Sequence, residues 1–147
     1  MRIAVISDTH DIYPERLLTL IKDADEIWHL GDVSSPGILA AFTTLGPPLH
    51  VVRGNCDFAP WPHSLRREIH GVRCQLVHIP PLVLPRGYCD IILHGHTHMS
   101  RDEMIDGTRW LNPGSVSQPR GGTRPSFAWL TIERDKPPQW TIESLAG

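Results

Sequence analysis

Residues 1–57 read MRIAVISDTHDIYPERLLTLIKDADEIWHLGDVSSPGILAAFTTLGPPLHVVRGNCD, and this stretch decides the fold class. Residues 2–7 (RIAVIS) are short, apolar and β-branched, the composition of a strand buried on both faces. After Pro14, which suits a first helical turn because its missing N–H costs nothing there, Leu17, Leu18, Leu20 and Ile21 recur at helical spacing and predict a helix over 14–23. A second strand over 26–30 (EIWHL) ends at Gly31-Asp32, and a second helix over 36–45 is closed by Gly46. The third strand, 49–53 (LHVVR), ends at Gly54-Asn55. The order β-α-β-α-β is the signature of a parallel sheet.

The rest of the chain is richer in strands. Residues 65–69 and 72–78 flank His70-Gly71, a tight hairpin pair, and Pro80, Pro81 and Pro85 exclude a long helix before Cys89. Further strands are expected at 90–93, around an Asp106-Gly107 hairpin, at 127–133 and at 139–143. No repeat or linker divides the 147 residues, so residues 1–147 are read as a single domain with 40% hydrophobic content. With 14 Lys plus Arg against 16 Asp plus Glu the net charge is -2, which excludes generic nucleic-acid binding driven by counterion release. Three cysteines without a C-x-x-C pair suggest neither a disulfide framework nor a thiolate zinc site. No run reaches the roughly 18 apolar residues of a membrane span, and no signal-peptide pattern precedes the first strand. A cytoplasmic protein with no membrane partner is therefore expected.

Nine histidines stand out, several in short motifs at strand ends. Asp8-Thr9-His10 follows the first strand, and on an extended backbone the two side chains point the same way, able to hold one cation. Read alone, Asp8 serves equally as a turn or cap residue. Asp32 and the Gly54-Asn55-Cys56-Asp57 turn repeat the placement at the next two strands. Ligands of open α/β sheets bind at the carboxyl ends of strands, so three polar ends converge on one region. His94-Gly95-His96-Thr97-His98 adds imidazoles at i, i+2 spacing, and His78 ends another strand. The pooled Asp, His and Asn donors suit Mn, Fe, Zn, Co or Ni, and they are too many for one ion but about right for two.

The ordered motifs D-x-H, G-D, G-N-C-D, H, G-H-T-H and N-P-G-S resemble the calcineurin-like metallophosphoesterase superfamily, most of all its small single-domain bacterial and archaeal phosphodiesterase branch. The resemblance covers nearly the whole chain. It implies an α/β fold of two sheets flanked by helices, α-β-β-α, with a binuclear metal site at the strand carboxyl ends. Carried over residue by residue, Asp8, His10 and His98 would hold one ion, Asn55, His78 and His96 the other, and Asp32 would bridge them. The implied cofactors are two divalent ions, Mn foremost, with Ni, Co, Fe or Zn as alternatives. The implied reaction is attack on the phosphorus of a small phosphate ester by a hydroxide shared between the ions, with Asp32, Asn55 and His96 as its catalytic residues. A phosphodiester is favoured over a phosphomonoester. Cys56, Asn112 and Arg120 are candidate substrate contacts, and His94 a residue orienting the ligands from behind.

This chain departs from the family pattern at three places. Cys56 stands where larger relatives have a His thought to protonate the leaving group, and it reads either as a weak acid beside the substrate or as a small buried hydrophobe. Ile79-Pro80-Pro81 replaces the usual glycine and amphipathic helix after His78, leaving one side of the site open or covered by another subunit. His94 precedes G-H-T-H at a position not usually a ligand. The rival reading is a non-catalytic metal-binding interaction scaffold of the same fold, as the retromer subunit is regarded, for which loss of a ligand would speak. No ligand is lost here, and a homo-oligomer stays open.

Overall fold

The computed structural model describes residues 1–146. Ten strands form two five-stranded mixed sheets. The first contains β1 (Arg2–Ile6), β2 (Glu26–His29), β3 (Leu49–Val51), β9 (Ser126–Thr131) and β10 (Gln139–Ser144), in the order β10-β9-β1-β2-β3. The second contains β4 (Ser64–Ile69), β5 (Val72–Val77), β6 (Ile91–Leu93), β7 (Arg101–Ile105) and β8 (Thr108–Asn112), in the order β4-β5-β6-β8-β7. In each sheet three strands run parallel, β1, β2, β3 and β5, β6, β8, with antiparallel partners outside them.

Strand alternation builds two cores from one strand. Ile3 and Val5 of β1 face the second sheet and join Trp28, Leu30, Leu76, Leu93 and Leu111, whereas Ala4 and Ile6 face outward and join Leu17, Ile21 and Phe42. At the amino end of β2 a buried Glu26 accepts from Trp28 Nε1 at 2.9 Å and pairs with Arg67 of β4, tying the sheets together away from the loops that follow β1 and β2. Burial opposes ionisation of this carboxyl, but Arg67 and Trp28 hold it below the usual carboxylate range.

The helices are shorter than the spacing predicts. Helix α1 spans Arg16–Ile21, with hydrogen-bonded turns from Pro14 and to Ala24 extending it at either end. In place of one helix over 36–45, a 3₁₀ turn (Pro36–Leu39) leads into the single-turn α2 (Ala40–Thr43). Gly37 explains the poor propagation, since glycine loses most on helix formation. Both helices cover the first sheet. Among the described residues none covers the second, whose outer Ile92 and Trp110 pack against Cys89, Leu84 and Val77 instead. The flanking layer of the α-β-β-α expectation is therefore one-sided, because the proline-bearing segment after β5 cannot form a helix. Both hairpin turns fall where expected, with positive φ at His70 and Gly71 and at Asp106 and Gly107, the two-residue type I′ geometry. No helix among the described residues is long and apolar enough to cross a membrane.

Leu17→Ala should cost about 2–5 kcal/mol, because it empties a fully buried position under α1, whereas Leu20→Ala on the exposed side should stay within about 0.5 kcal/mol. Urea unfolding midpoints of the two variants check the difference.

Candidate metal centre

The parallel strands of both sheets deliver their carboxyl ends to one edge, where the loops are bonded to their neighbours within each sheet and, through the His96 amide donating to Asp8 Oδ2 at 3.2 Å, from one sheet to the other. Asp8 N–H donates to Gly31 O at 3.0 Å, His10 N–H to Asp32 O at 3.0 Å, and Gly95 N–H to His78 O at 3.0 Å. Asp8, His10, Asp32 and His98 converge so that one ligand atom from each lies within 4.8 Å of all the others. A second group adjoins it. Asn55 Oδ1 is 2.9 Å from His78 Nε2 and 3.1 Å from His96 Nδ1. Asp32 Oδ2 faces both groups, 3.5 Å from His10 Nε2 and 3.3 Å from His78 Nε2, while its Oδ1 accepts the Cys56 amide at 2.9 Å.

The extended-chain reading of Asp8 and His10 is corrected. Both are left-handed, at φ 56° and 46°, as are Asp32 (58°), His96 (71°) and His98 (61°). Such backbone is strained for residues with a Cβ and persists only where surrounding contacts fix it. Here Ser115 Oγ and Ser117 Oγ each donate to Asp8 O at 3.0 Å, and Ser7 Oγ donates to Asp8 Oδ2 at 2.7 Å. Asp57, buried behind Asn55, accepts from the backbone amides of Asp32, Ser34 and Gly54 at 2.7–2.9 Å. Two glycines are demanded by close approach. A Cβ on Gly54 would lie 2.2 Å from Asp32 Oδ1, and one on Gly95 would lie 2.0 Å from Ser7 Oγ and 2.8 Å from Asp8 Oδ2.

The donor set fits a cation on chemical grounds. Asp8 is fully buried, yet its Oδ1 and the His10 Nε2 have no hydrogen-bond partner, and they face each other at 3.8 Å. Neutral His78 spends its one N–H on Leu30 O at 2.7 Å, and neutral His98 spends its own on Gln118 O at 2.6 Å. Their Nε2 lone pairs then face Asp32 Oδ2 and Asp8 Oδ1, both at 3.3 Å. Lone pairs gathered around buried carboxylates need positive charge between them. In the metal-free protein protons serve: contact with Asp8 raises the His10 pKa, and for His78 burial, which opposes protonation, is outweighed by Asp32 and Asp8. Burial raises both carboxylates in turn, but contacts with His10 hold Asp8 low, and His78 and the Cys56 amide hold Asp32 at about 2.

The other sequence candidates divide. Asn112 is 0% exposed, donates to Gly95 O at 3.2 Å and Thr97 Oγ1 at 3.1 Å, and accepts from Gly114 N at 2.8 Å. It builds the loop and is not open to substrate, which corrects that assignment. Among the described residues His94 has no hydrogen bond to a cluster side chain; it is buried, donates to Gly95 O at 3.0 Å and accepts from Arg101 Nη1 at 3.2 Å, and burial pushes its pKa down to about 4. Cys56 is exposed, not a buried hydrophobe, and desolvation together with the Asp32 carboxylate raises its thiol pKa. Arg120 is exposed, and its amide donates to His98 O at 3.0 Å. Sequence reading missed His29 as part of the site's support: Gly31 N–H donates to its Nδ1, and its Nε2–H reaches Thr9 Oγ1, both at 3.1 Å. A lone histidine in an apolar strand was the signal available.

Residues 1–135 match the family model of the calcineurin-like phosphoesterase superfamily domain. A probable metallophosphoesterase of Methanothermobacter thermautotrophicus is 35% identical, the alignment covering 92% of this chain and 88% of that protein. The phosphodiesterase YfcE of Escherichia coli is 30% identical over 88% of this chain and 87% of its own. A solved structure of the same Escherichia coli phosphoesterase superposes with a TM-score of 0.78, covering 89% of this chain and 88% of that one. Zinc-bound Vps29 of Entamoeba histolytica, at 22% identity, shares the fold, with a TM-score of 0.76 over 97% of this chain and 98% of that one.

Gly95→Ala should lower affinity for a divalent ion at least about tenfold, because Ser7 and Asp8 must move, whereas Gly37→Ala, with open space around its Cβ, should not change it. Chelator competition measures both. Burial depresses the His29 pKa from 6.5 to about 4, so between those values the unfolded chain binds a proton that the native state does not. This stability is complete above pH 6.5 and is lost as pH falls toward 4, up to about 3 kcal/mol. Denaturation of metal-free His29→Gln should show a flatter acid limb than the unaltered chain.

Proposed function

We propose that this chain, a member of the calcineurin-like phosphoesterase superfamily, is a phosphodiesterase that works with two divalent metal ions, Mn foremost. The carrying observation is the Asp32 carboxylate oxygen that faces both donor groups at once, 3.5 Å from His10 Nε2 and 3.3 Å from His78 Nε2. Asp8, His10 and His98 would hold one ion, Asn55, His78 and His96 would hold the other, and Asp32 would serve both. Bound there, the ions supply charge that neutralises phosphoryl oxygens and lower the pKa of water enough to make it a nucleophile near neutral pH.

The chain's own contribution is placement. Asp32 is fixed by the Cys56 amide and keeps both groups in register, while Asn55 and His96, on the exposed side, orient the phosphoryl group. Cys56 and Arg120 are rim contacts for the substrate, and the protonated Cys56 thiol, a weak acid, favours esters with good leaving groups. Diester preference is supported by the name of the Escherichia coli relative, a phosphodiesterase. The three free cysteines accord with a cytoplasmic setting. Candidate ligands come from loops of both sheets, which supports reading the chain as one domain.

Metal-stripped protein supplied singly with Mn, Ni, Co, Fe, Zn or Mg should hydrolyse bis(4-nitrophenyl) phosphate faster than 4-nitrophenyl phosphate, only with metal, and Asp32→Asn should fall to background while staying folded. Binding of two ions with neither ester hydrolysed would overturn the enzyme in favour of an interaction scaffold.

A further inference from the structure

The cavity beside Asn55 and His78 is lined by Arg53, Gly54, His63, Ser64, Val77 and Ile79. Two of these carry donors that the fold leaves unused. Arg53 Nε–H donates to the backbone carbonyl of Asp57 at 3.1 Å, which fixes the guanidinium plane, but its Nη nitrogens have no hydrogen-bond or ion-pair partner among the described residues. The Asp57 carboxylate forms no ion pair with it among the described residues; its oxygens accept instead from the amides of Asp32, Ser34 and Gly54. The Arg53 amide donates to Pro62 O at 2.8 Å and stitches the Pro60-Trp61-Pro62 turn beside the end of β3. That bond brings the exposed His63, likewise without a partner among the described residues, into the same lining. Val77 and the exposed Ile79 add an apolar wall, left open because Pro80 and Pro81 prevent a covering helix.

We infer that this cavity receives the leaving group of the diester, and that Arg53 and His63 select leaving groups carrying a negative charge of their own on an apolar ring or chain. The inference rests on the phosphodiesterase reading above. A guanidinium is permanently charged, and with Nε anchored to Asp57 O its two free Nη amino groups are available to a carboxylate or phosphate at small entropic cost. An uncharged leaving group gains only the contact with Val77 and Ile79. Because the anion is present before and during bond cleavage, the selectivity falls mainly on KM.

The test compares bis(4-nitrophenyl) phosphate with bis(3-carboxy-4-nitrophenyl) phosphate, matched diesters that differ by a carboxylate on each ring, using the manganese-loaded protein. The carboxylated ester should be preferred in kcat/KM by at least about tenfold, mostly through KM. Arg53→Gln should remove about that tenfold, Arg53→Lys should retain part of it, and His63→Ala, on an exposed turn, should remove a smaller share. In parallel, calorimetric titration of the released phenol, 5-hydroxy-2-nitrobenzoate, into the metal-free protein should show binding weakened by Arg53→Gln. Equal use of the two esters, or a preference untouched by Arg53→Gln and His63→Ala, would overturn the inference. If the unaltered protein hydrolyses neither ester, the phosphodiesterase reading fails by itself and calorimetry decides the subsite: binding that depends on Arg53 upholds an anion site, and its absence overturns it.

Discussion

Two buried carboxylates set the terms for the rest of this structure. Asp8 and Asp32, 0% and 2% exposed, lie at the seam where two sheets meet, and neither is paired with a lysine or arginine. A buried anion is tolerated only when hydrogen bonds and positive charge surround it, and here the positive charge comes from imidazoles and from whatever cation they help to hold. Around that requirement the surrounding features make sense together. Ser7 and the Cys56 amide bond the carboxylates, and Leu30 and Gln118 carbonyls turn His78 and His98 so that their Nε2 atoms face inward.

The strain sits in the same place as the charge. Asp8, His10, Asp32, His96 and His98 all adopt left-handed backbone, at a cost of roughly 1–3 kcal/mol for each such residue. What fixes them is mostly backbone hydrogen bonding to rigid partners: Asp57 on one side, Ser115 and Ser117 on the other, Asn112 beneath Gly95. These residues lie outside the ligand cluster, yet they hold the backbone that carries its ligand atoms to one edge. Asn112 shows how easily the two roles are confused, since its place in the N-P-G-S motif suits a substrate contact as well as a structural amide.

Much of this was legible in the chain before folding. β-branched runs that stop at Asp, Gly-Asp and Gly-Asn place polar groups at strand carboxyl ends, and the histidine spacing of G-H-T-H completes a donor set. Strand positions depend on short-range pattern, so they were readable to within a residue or two. The left-handed geometry was not, because φ at Asp8 or His10 is imposed by bonds to Gly31, Asp32, Ser115 and Ser117, far away in sequence. Helix lengths were overestimated for a related reason: periodicity reports which face is buried, not how many turns tertiary contacts will sustain. His29 and the Glu26–Arg67 tie escaped notice because a lone polar residue in an apolar strand does not announce its partner.

The one-sided helix layer connects these points to function. Helices α1 and α2 shield the first sheet, whereas the second is closed by a proline-bearing segment that leaves Ile79, Leu82 and Val83 exposed. Prolines there cost the chain a covering layer but open the flank beside Asn55 and His78, where Arg53 and His63 stand with unused donors. The ligand cluster requires rigid, buried supports and therefore tolerates little variation. The flank carries no such demand, since its side chains neither pair with the carboxylates nor fill the intersheet core. A chain of this architecture can thus keep one constellation of donors fixed while the residues after β3 and β5 are free to vary beside it.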